Sequence, residues 1–185
     1  MTPYEGKREA ILQAAATLFL KHGLRGTSME AIAREARIAK ATLYAYFDDK
    51  AAVFTALLEE LVAAWRAEFL EALRGEGDVV QRVGAALTAK YKAAMRLLAG
   101  SPHAAELYGE HDRLAGPSLR GLDAALLAAL EQELALSGVA RSRLLAQLLL
   151  AASFGIGQKA QSAAELGPAL RLLAERLIQP ELPGA

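Results

Sequence analysis

Four polar side chains in the first fifty residues are of the kinds that grip a nucleic-acid backbone. Thr27 stands just before an amphipathic segment, at what reads as a helix N-terminus, where a hydroxyl and free backbone N–H groups can hold a phosphate. Lys50 opens a longer helix and offers its ammonium to the same kind of partner. Tyr44 and Tyr46 can donate to phosphates and pack on sugars or thymine methyls. Each also has an ordinary use: a cap, a solvated charge, a half-buried ring. A second constellation lies further on. His103, Glu106 and Glu110 share one helical face, with His111 beside them. Such a set could ligate a divalent metal or meet a cationic ligand, but it also suits a solvated face of a surface helix, and no metal is assigned to it.

Other chemistry is excluded by what the chain lacks. It has no cysteine, hence no disulfide, thiol nucleophile or cysteine-ligated zinc. A di-iron bundle needs paired Glu-x-x-His motifs, whereas this chain has only the reversed His103-x-x-Glu106. No phosphate-binding loop, zinc-protease motif or nucleophile elbow is present. The expectation is therefore a non-enzyme without a cofactor. The apolar run from Leu144 to Ile156 is shorter than the roughly 20 residues of a membrane span, and the first residues lack a signal peptide's apolar core. A cytoplasmic protein, with no membrane partner, is expected.

The elements that must position these groups are helical. Of the 185 residues 54% are hydrophobic, chiefly Ala and Leu, while β-branched and aromatic residues are sparse. Net charge is zero, but the first fifty residues hold eight Lys/Arg against six acids, a slightly basic start on a slightly acidic remainder. Thr2-Pro3-Tyr4-Glu5 starts a helix whose apolar face is Ile11, Leu12, Ala15, Leu18 and Phe19, and Gly23 ends it. Thr27-Ser28-Met29-Glu30 reads as a capping box for a short helix, and another short one covers about 39–45. Asp48 or Asp49 caps a long helix that Gly75-Glu76-Gly77-Asp78 breaks. Further helices are expected near 79–98, 103–113, 117–136, 140–160 and 168–178, with residues 180–185 as a frayed tail.

The segment 8–53 resembles the TetR/AcrR family of regulators. Arg8, Ile11, Ala14, Ala15, Leu18, Phe19, Gly23, Thr27, Ser28, Met29, Ile32 and Ala33 carry the likeness, as do Ala36, Ile38, Lys40, Thr42, Leu43, Tyr44, Tyr46, Phe47 and Lys50. The resemblance implies an all-α fold with a three-helix helix-turn-helix head at 1–47 and a ligand-binding and dimerisation bundle at 48–185. It also places Lys40, Ala41 and Thr42 at the base edges of duplex DNA, beside Thr27, Tyr44, Tyr46 and Lys50 on the backbone. Three positions depart from the family pattern: Arg37 where the turn usually has Gly, Ala39 in place of a Ser or Thr cap, and Ala45 where a longer side chain often reaches DNA.

The implied partners are a palindromic operator, a small-molecule effector and a second copy of the chain. Leu144, Leu145, Leu148, Leu149 and Ala152 with Gly155-Ile156-Gly157 form a wide apolar stripe, and Leu170, Leu173 and Leu177 another; these are the expected dimer face. Trp65, Phe69, Tyr91, Met95, Tyr108, Leu122, Leu126 and Phe154 are the candidates to line a mostly apolar pocket. The competing reading is a helical adaptor whose head no longer binds DNA.

Overall fold

The computed structural model describes residues 3–98, 101–104, 106–107, 116–160 and 162–183. Among these there are eight α-helices and no strand, so the all-α expectation holds. In chain order they are α1 (Pro3–Gly26), α2 (Met29–Glu35), α3 (Lys40–Tyr44), α4 (Lys50–Leu73), α5 (Val79–Leu98), α6 (Gly116–Leu136), α7 (Ser142–Lys159) and α8 (Ala163–Ile178), followed by a 3₁₀ turn, Gln179–Glu181. No described helix is long and apolar enough to cross a membrane. The helix expected at 103–113, with Tyr108, Glu110 and His111, falls mostly outside the described residues.

Contacts divide the chain into two compact units: Met1–Leu61 with Leu98–Ser118, and Val62–Leu97 with Leu119–Ala185. In the first, α1 buries Ile11, Leu12, Ala15 and Phe19, α2 buries Met29, Ile32 and Ala33, and α4 adds Val53, Phe54 and Leu58. Phe19 meets Phe54 edge to face, centroids 5.4 Å apart, the arrangement that aromatic quadrupoles favour. Asp49 is the cap of α4, its Oδ1 accepting from the Ala52 amide at 2.8 Å.

Gly23 interrupts α1 at φ 74°, ψ 169°. A Cβ there would also fall within 3 Å of His103 Nδ1 and of the Glu106 carboxylate, so conformation and space both call for glycine. The residues that fill this space come from the 101–107 segment. Ser101 Oγ donates to the Leu20 carbonyl at 2.8 Å, and Glu106 Oε1 accepts from the Arg25 amide at 2.9 Å. His103 Nδ1 lies 3.5 Å from Glu106 Oε2. Ser101 and Glu106 therefore hold the backbone on either side of Gly23, with His103 against Glu106, and among the described residues no group of three such side chains could hold a metal.

The second unit packs Phe69, Leu73, Val83, Leu87, Leu126, Leu130, Leu134, Leu149, Leu166 and Leu170 into one core. Its α5 opens with a reciprocal cap: the Gln81 amide donates to Asp78 Oδ1 at 2.9 Å while the Asp78 amide donates to Gln81 Oε1 at 3.1 Å.

Two expectations need correction here. The last helix begins at Ala163, not 168, because Ser162 caps it by accepting from the Glu165 amide; Pro168 lies inside, in the second turn, where it has no N–H to donate to the Ala164 carbonyl. The tail is not frayed through Pro183. Glu181 pairs with Arg141, Leu182 packs on the core, and Pro183 covers Gly138, which turns the chain at φ 85°.

Candidate nucleic-acid interface

The α2–turn–α3 segment is built from its hydrogen bonds outward. Ser28, extended at φ −113°, ψ 158°, accepts from the Ala31 amide at 3.2 Å and caps α2. Thr27 was the expected cap. Its hydroxyl turns inward instead, buried and donating to the Gly23 carbonyl at 2.8 Å, so that hydroxyl is not offered to a phosphate.

α2 ends in a paired closure: the Ile38 amide donates to the Ala33 carbonyl at 3.0 Å and the Arg37 amide to the Arg34 carbonyl at 3.1 Å. This closure requires a left-handed residue between them, normally glycine. Here it is Arg37, at φ 56°. The missing turn glycine therefore leaves the turn's geometry intact, and a Cβ carries the strain.

α3 begins without a side-chain cap, since Ala39 has nothing to give its free amides. Leu43 alone anchors it, fully buried, with the Tyr46 and Phe47 amides closing onto the Leu43 carbonyl at 3.0 Å each. That one inward residue turns Lys40, Ala41, Tyr44 and Ala45 to solvent on the opposite face, with Thr42 half-buried at its edge. Lys40 Nζ lies 2.5 Å from Glu30 Oε1 on α2 and 5.7 Å from the Tyr44 ring centroid. Hydrogen bonding and charge attraction from Lys40 hold the Glu30 carboxyl below its ordinary proton affinity, and Glu30 in turn raises that of Lys40.

Around this face the chain is braced. Tyr46 stacks on Tyr4, centroids 4.5 Å apart, so the start of α1 meets the end of the α3 turn. Arg8 pairs with Glu60 and lies 5.9 Å over the Phe47 ring. Lys50 Nζ donates to the Thr27 carbonyl at 2.7 Å and approaches the Arg25 carbonyl at 3.5 Å. The seven expected DNA-binding residues thus fall into three places. Lys40, Ala41, Thr42 and Tyr44 share α3, Tyr46 is stacked beside it, and Thr27 and Lys50 are tied to each other at the loop before α2. Glu30, Ser28 and Tyr4 were not among them. Only Ser28 had a local signal, as the second hydroxyl of a Thr-Ser pair.

The expected pocket residues lie in the second unit. Phe69, Leu122 and Leu126 are the core itself, and Trp65, Tyr91 and Met95 are half-buried against it. The Tyr91 hydroxyl lies 3.2 Å from the buried Ser153 hydroxyl. Phe154 is 55% exposed and borders an open groove of ≈ 380 Å³ with Lys90, Asp123, Leu127 and Leu150. Tyr108 lies outside the described residues.

Comparison with known proteins agrees with this geometry. Residues 11–57 match the model for the N-terminal part of the bacterial regulatory proteins, tetR family. Over 61 residues the chain is 39% identical to the HTH-type transcriptional regulator RutR of Escherichia coli strain K12, covering 33% of this chain and 29% of the relative. Over 56 residues it is 38% identical to the HTH-type transcriptional repressor SCO4008 of Streptomyces coelicolor, covering 30% and 29%. The match thus spans under a third of the length of either curated relative. The fold likeness runs further: Salmonella enterica GusR superposes with a TM-score of 0.71 at 23% identity, over 97% of this chain and 98% of that one. RutR and SCO4008 are named as regulators; residues 11–57 of this chain are similar in sequence to the tetR family of bacterial regulatory proteins, and the chain as a whole shares the fold of Salmonella enterica GusR.

Proposed function

We propose that the chain is a ligand-responsive transcriptional repressor, working in the cytoplasm as a homodimer on a palindromic duplex operator and released by a small, mostly apolar molecule. The face of α3 carries this reading. A five-residue helix pinned by one buried leucine, with Lys40, Ala41 and Tyr44 outward, has the dimensions and chemistry to enter a major groove. Thr42 joins them at the base edges, Tyr44 and Tyr46 supply hydroxyls for phosphates, and Thr27 and Lys50 set the loop before α2, with Lys50 also facing the backbone. In this reading the DNA-binding domain is 1–47 and the remainder, 48–185, senses and dimerises.

Support for the dimer comes from α7 and α8. Leu144 and Leu148 on α7 and Leu172 on α8 are each about half exposed, and an open groove of ≈ 460 Å³ runs along Ala152, Gly155, Ile156, Ala160 and Ala169. Exposed leucines beside a groove that Lys159 and Glu165 rim are what a second copy could cover. The effector would enter among Trp65, Phe69, Tyr91, Met95, Leu122, Leu126 and Phe154, parting helices whose facing residues are apolar. Selection of duplexes from a random pool tests the reading. A palindrome with half-sites ~34–36 Å apart or slightly more is expected, bound by a dimer in sedimentation. Recovery of no preferred duplex would overturn it in favour of the adaptor.

A further inference from the structure

We propose that Glu30 determines specificity: by holding Lys40 across the turn, it keeps this lysine from acting as a free phosphate-seeking cation, and so lowers affinity for random DNA more than for the operator. This rests on the reading of α3 as the recognition helix.

The observations are local. Glu30 is the second residue of α2 and Lys40 the first of α3, and the closure at Arg37 and Ile38 brings their side chains to 2.5 Å. Both are more than half exposed, at 56% and 58%. An ion pair so solvated adds little to stability, so folding does not account for a carboxylate on a face that is to meet a polyanion. Its effect falls on what Lys40 can do. A lysine ammonium is a compact point charge on a flexible stem, and left alone it takes whichever phosphate is nearest. Paired with Glu30 it offers the backbone almost no net charge, and it cannot move to a phosphate without bringing the carboxylate along or giving it up. The ammonium has three donors, and the pair engages one. Another remains for an uncharged acceptor at a base edge, such as guanine O6 or N7, which Lys40 can reach while the pair persists. On an operator that supplies the acceptor, Glu30 therefore costs little. On other sequences it removes the one attraction Lys40 would have had.

The test compares the wild type, Glu30→Gln, Lys40→Ala and the double variant on two duplexes, a selected operator and a scrambled version of equal length and composition, between 50 and 200 mM salt. Glu30→Gln keeps the shape of the side chain, and thermal melting checks that it folds. We expect it to bind the scrambled duplex more tightly at low salt, with the log–log salt slope steeper by about 0.9, the contribution of one added phosphate contact. Its advantage over the wild type then shrinks about 3.5-fold across that fourfold rise in salt. The ratio of operator to scrambled affinity falls, and in the Lys40→Ala background the same substitution changes neither slope nor ratio. An equal effect in that background would overturn the proposal, because Glu30 would then act on the DNA directly. So would an unchanged ratio in Glu30→Gln on a protein that does select an operator. Failure to select any duplex would instead defeat the reading on which the proposal rests.

Discussion

The two units hold their helices in different ways. In the first, which includes the two shortest helices, α2 and α3, several helix ends are fixed by single polar bonds. Ser28 caps α2, Asp49 caps α4, Glu106 meets the Arg25 amide, and Lys50 meets the Thr27 carbonyl. In the second, helices of 16–21 residues share a core of leucines. Short helices cannot bury enough surface to set their own orientation, so it must come from particular bonds; long ones orient by summed burial. Geometry in the first unit is therefore sensitive to single atoms, which on the proposed reading suits a surface that must register on DNA.

The largest break in this comparison should come from leucine truncation. Leu43→Ala and Leu130→Ala both remove a fully buried side chain and should each cost about 2–5 kcal/mol. At a temperature where both variants remain folded by circular dichroism, Leu43→Ala should have lost DNA binding, because α3 has no second anchor. Leu130→Ala should retain it. Equal retention in both would erase the distinction.

Next comes Gly23→Ala, which places a Cβ in a left-handed residue and against Glu106 and His103. We expect a loss of about 1–3 kcal/mol in urea unfolding, and little relief when Glu106→Ala is added, since the backbone penalty persists. Full recovery in the double variant would show that crowding alone matters.

Smaller effects of opposite sign are expected at the turn. Arg37→Gly should stabilise the protein by about 1 kcal/mol, by relieving φ 56°, and Ala39→Ser by a similar amount, by capping α3. Both are measurable as upward shifts of the melting midpoint. A lowered midpoint for Arg37→Gly would mean that the guanidinium contributes more than its backbone costs.

The smallest effect concerns pH. Glu30 has a lowered proton affinity in the folded state, so its contribution is present above the ordinary carboxyl value of 4.5 and fades as pH falls through the lowered one. Lys40, raised from 10.5, contributes fully below that value and loses its part only as pH climbs through the raised one. The melting midpoints of the wild type and Glu30→Gln, followed from pH 6 to 3, should converge on acidification, by little because both groups are solvated. A gap that widens with acid would contradict the pairing.

What could be read from the sequence follows the same division. Local signals were legible: Gly23 as a break, a cap at Asp48 or Asp49, and the departures at Arg37 and Ala39. Adjacent hydroxyls were not resolved, because Thr27 and Ser28 are chemically alike as caps and only the path of the preceding turn decides which one points back. Pro168 suggested a helix start more strongly than Ser162-x-x-Glu165, which proved to be the actual one. Pairings across the fold left no local trace: Glu106 with Arg25, 81 residues away, and Glu30 with Lys40 across a turn. The site's outline was legible through its family signature, whereas its electrostatic wiring was not.

The attachment of Ser101 and Glu106 to α1 on either side of its break at Gly23 bears on how such a protein can be recombined. A chimaera that joined residues 1–61 to another protein's body would inherit the α3 face but leave behind both side chains that satisfy the Leu20 carbonyl and the Arg25 amide. The transplantable module is two stretches of chain, not one. A new body has to bring its own hydroxyl and carboxylate to the same two backbone groups, or the borrowed head keeps its reading surface on a loosened base.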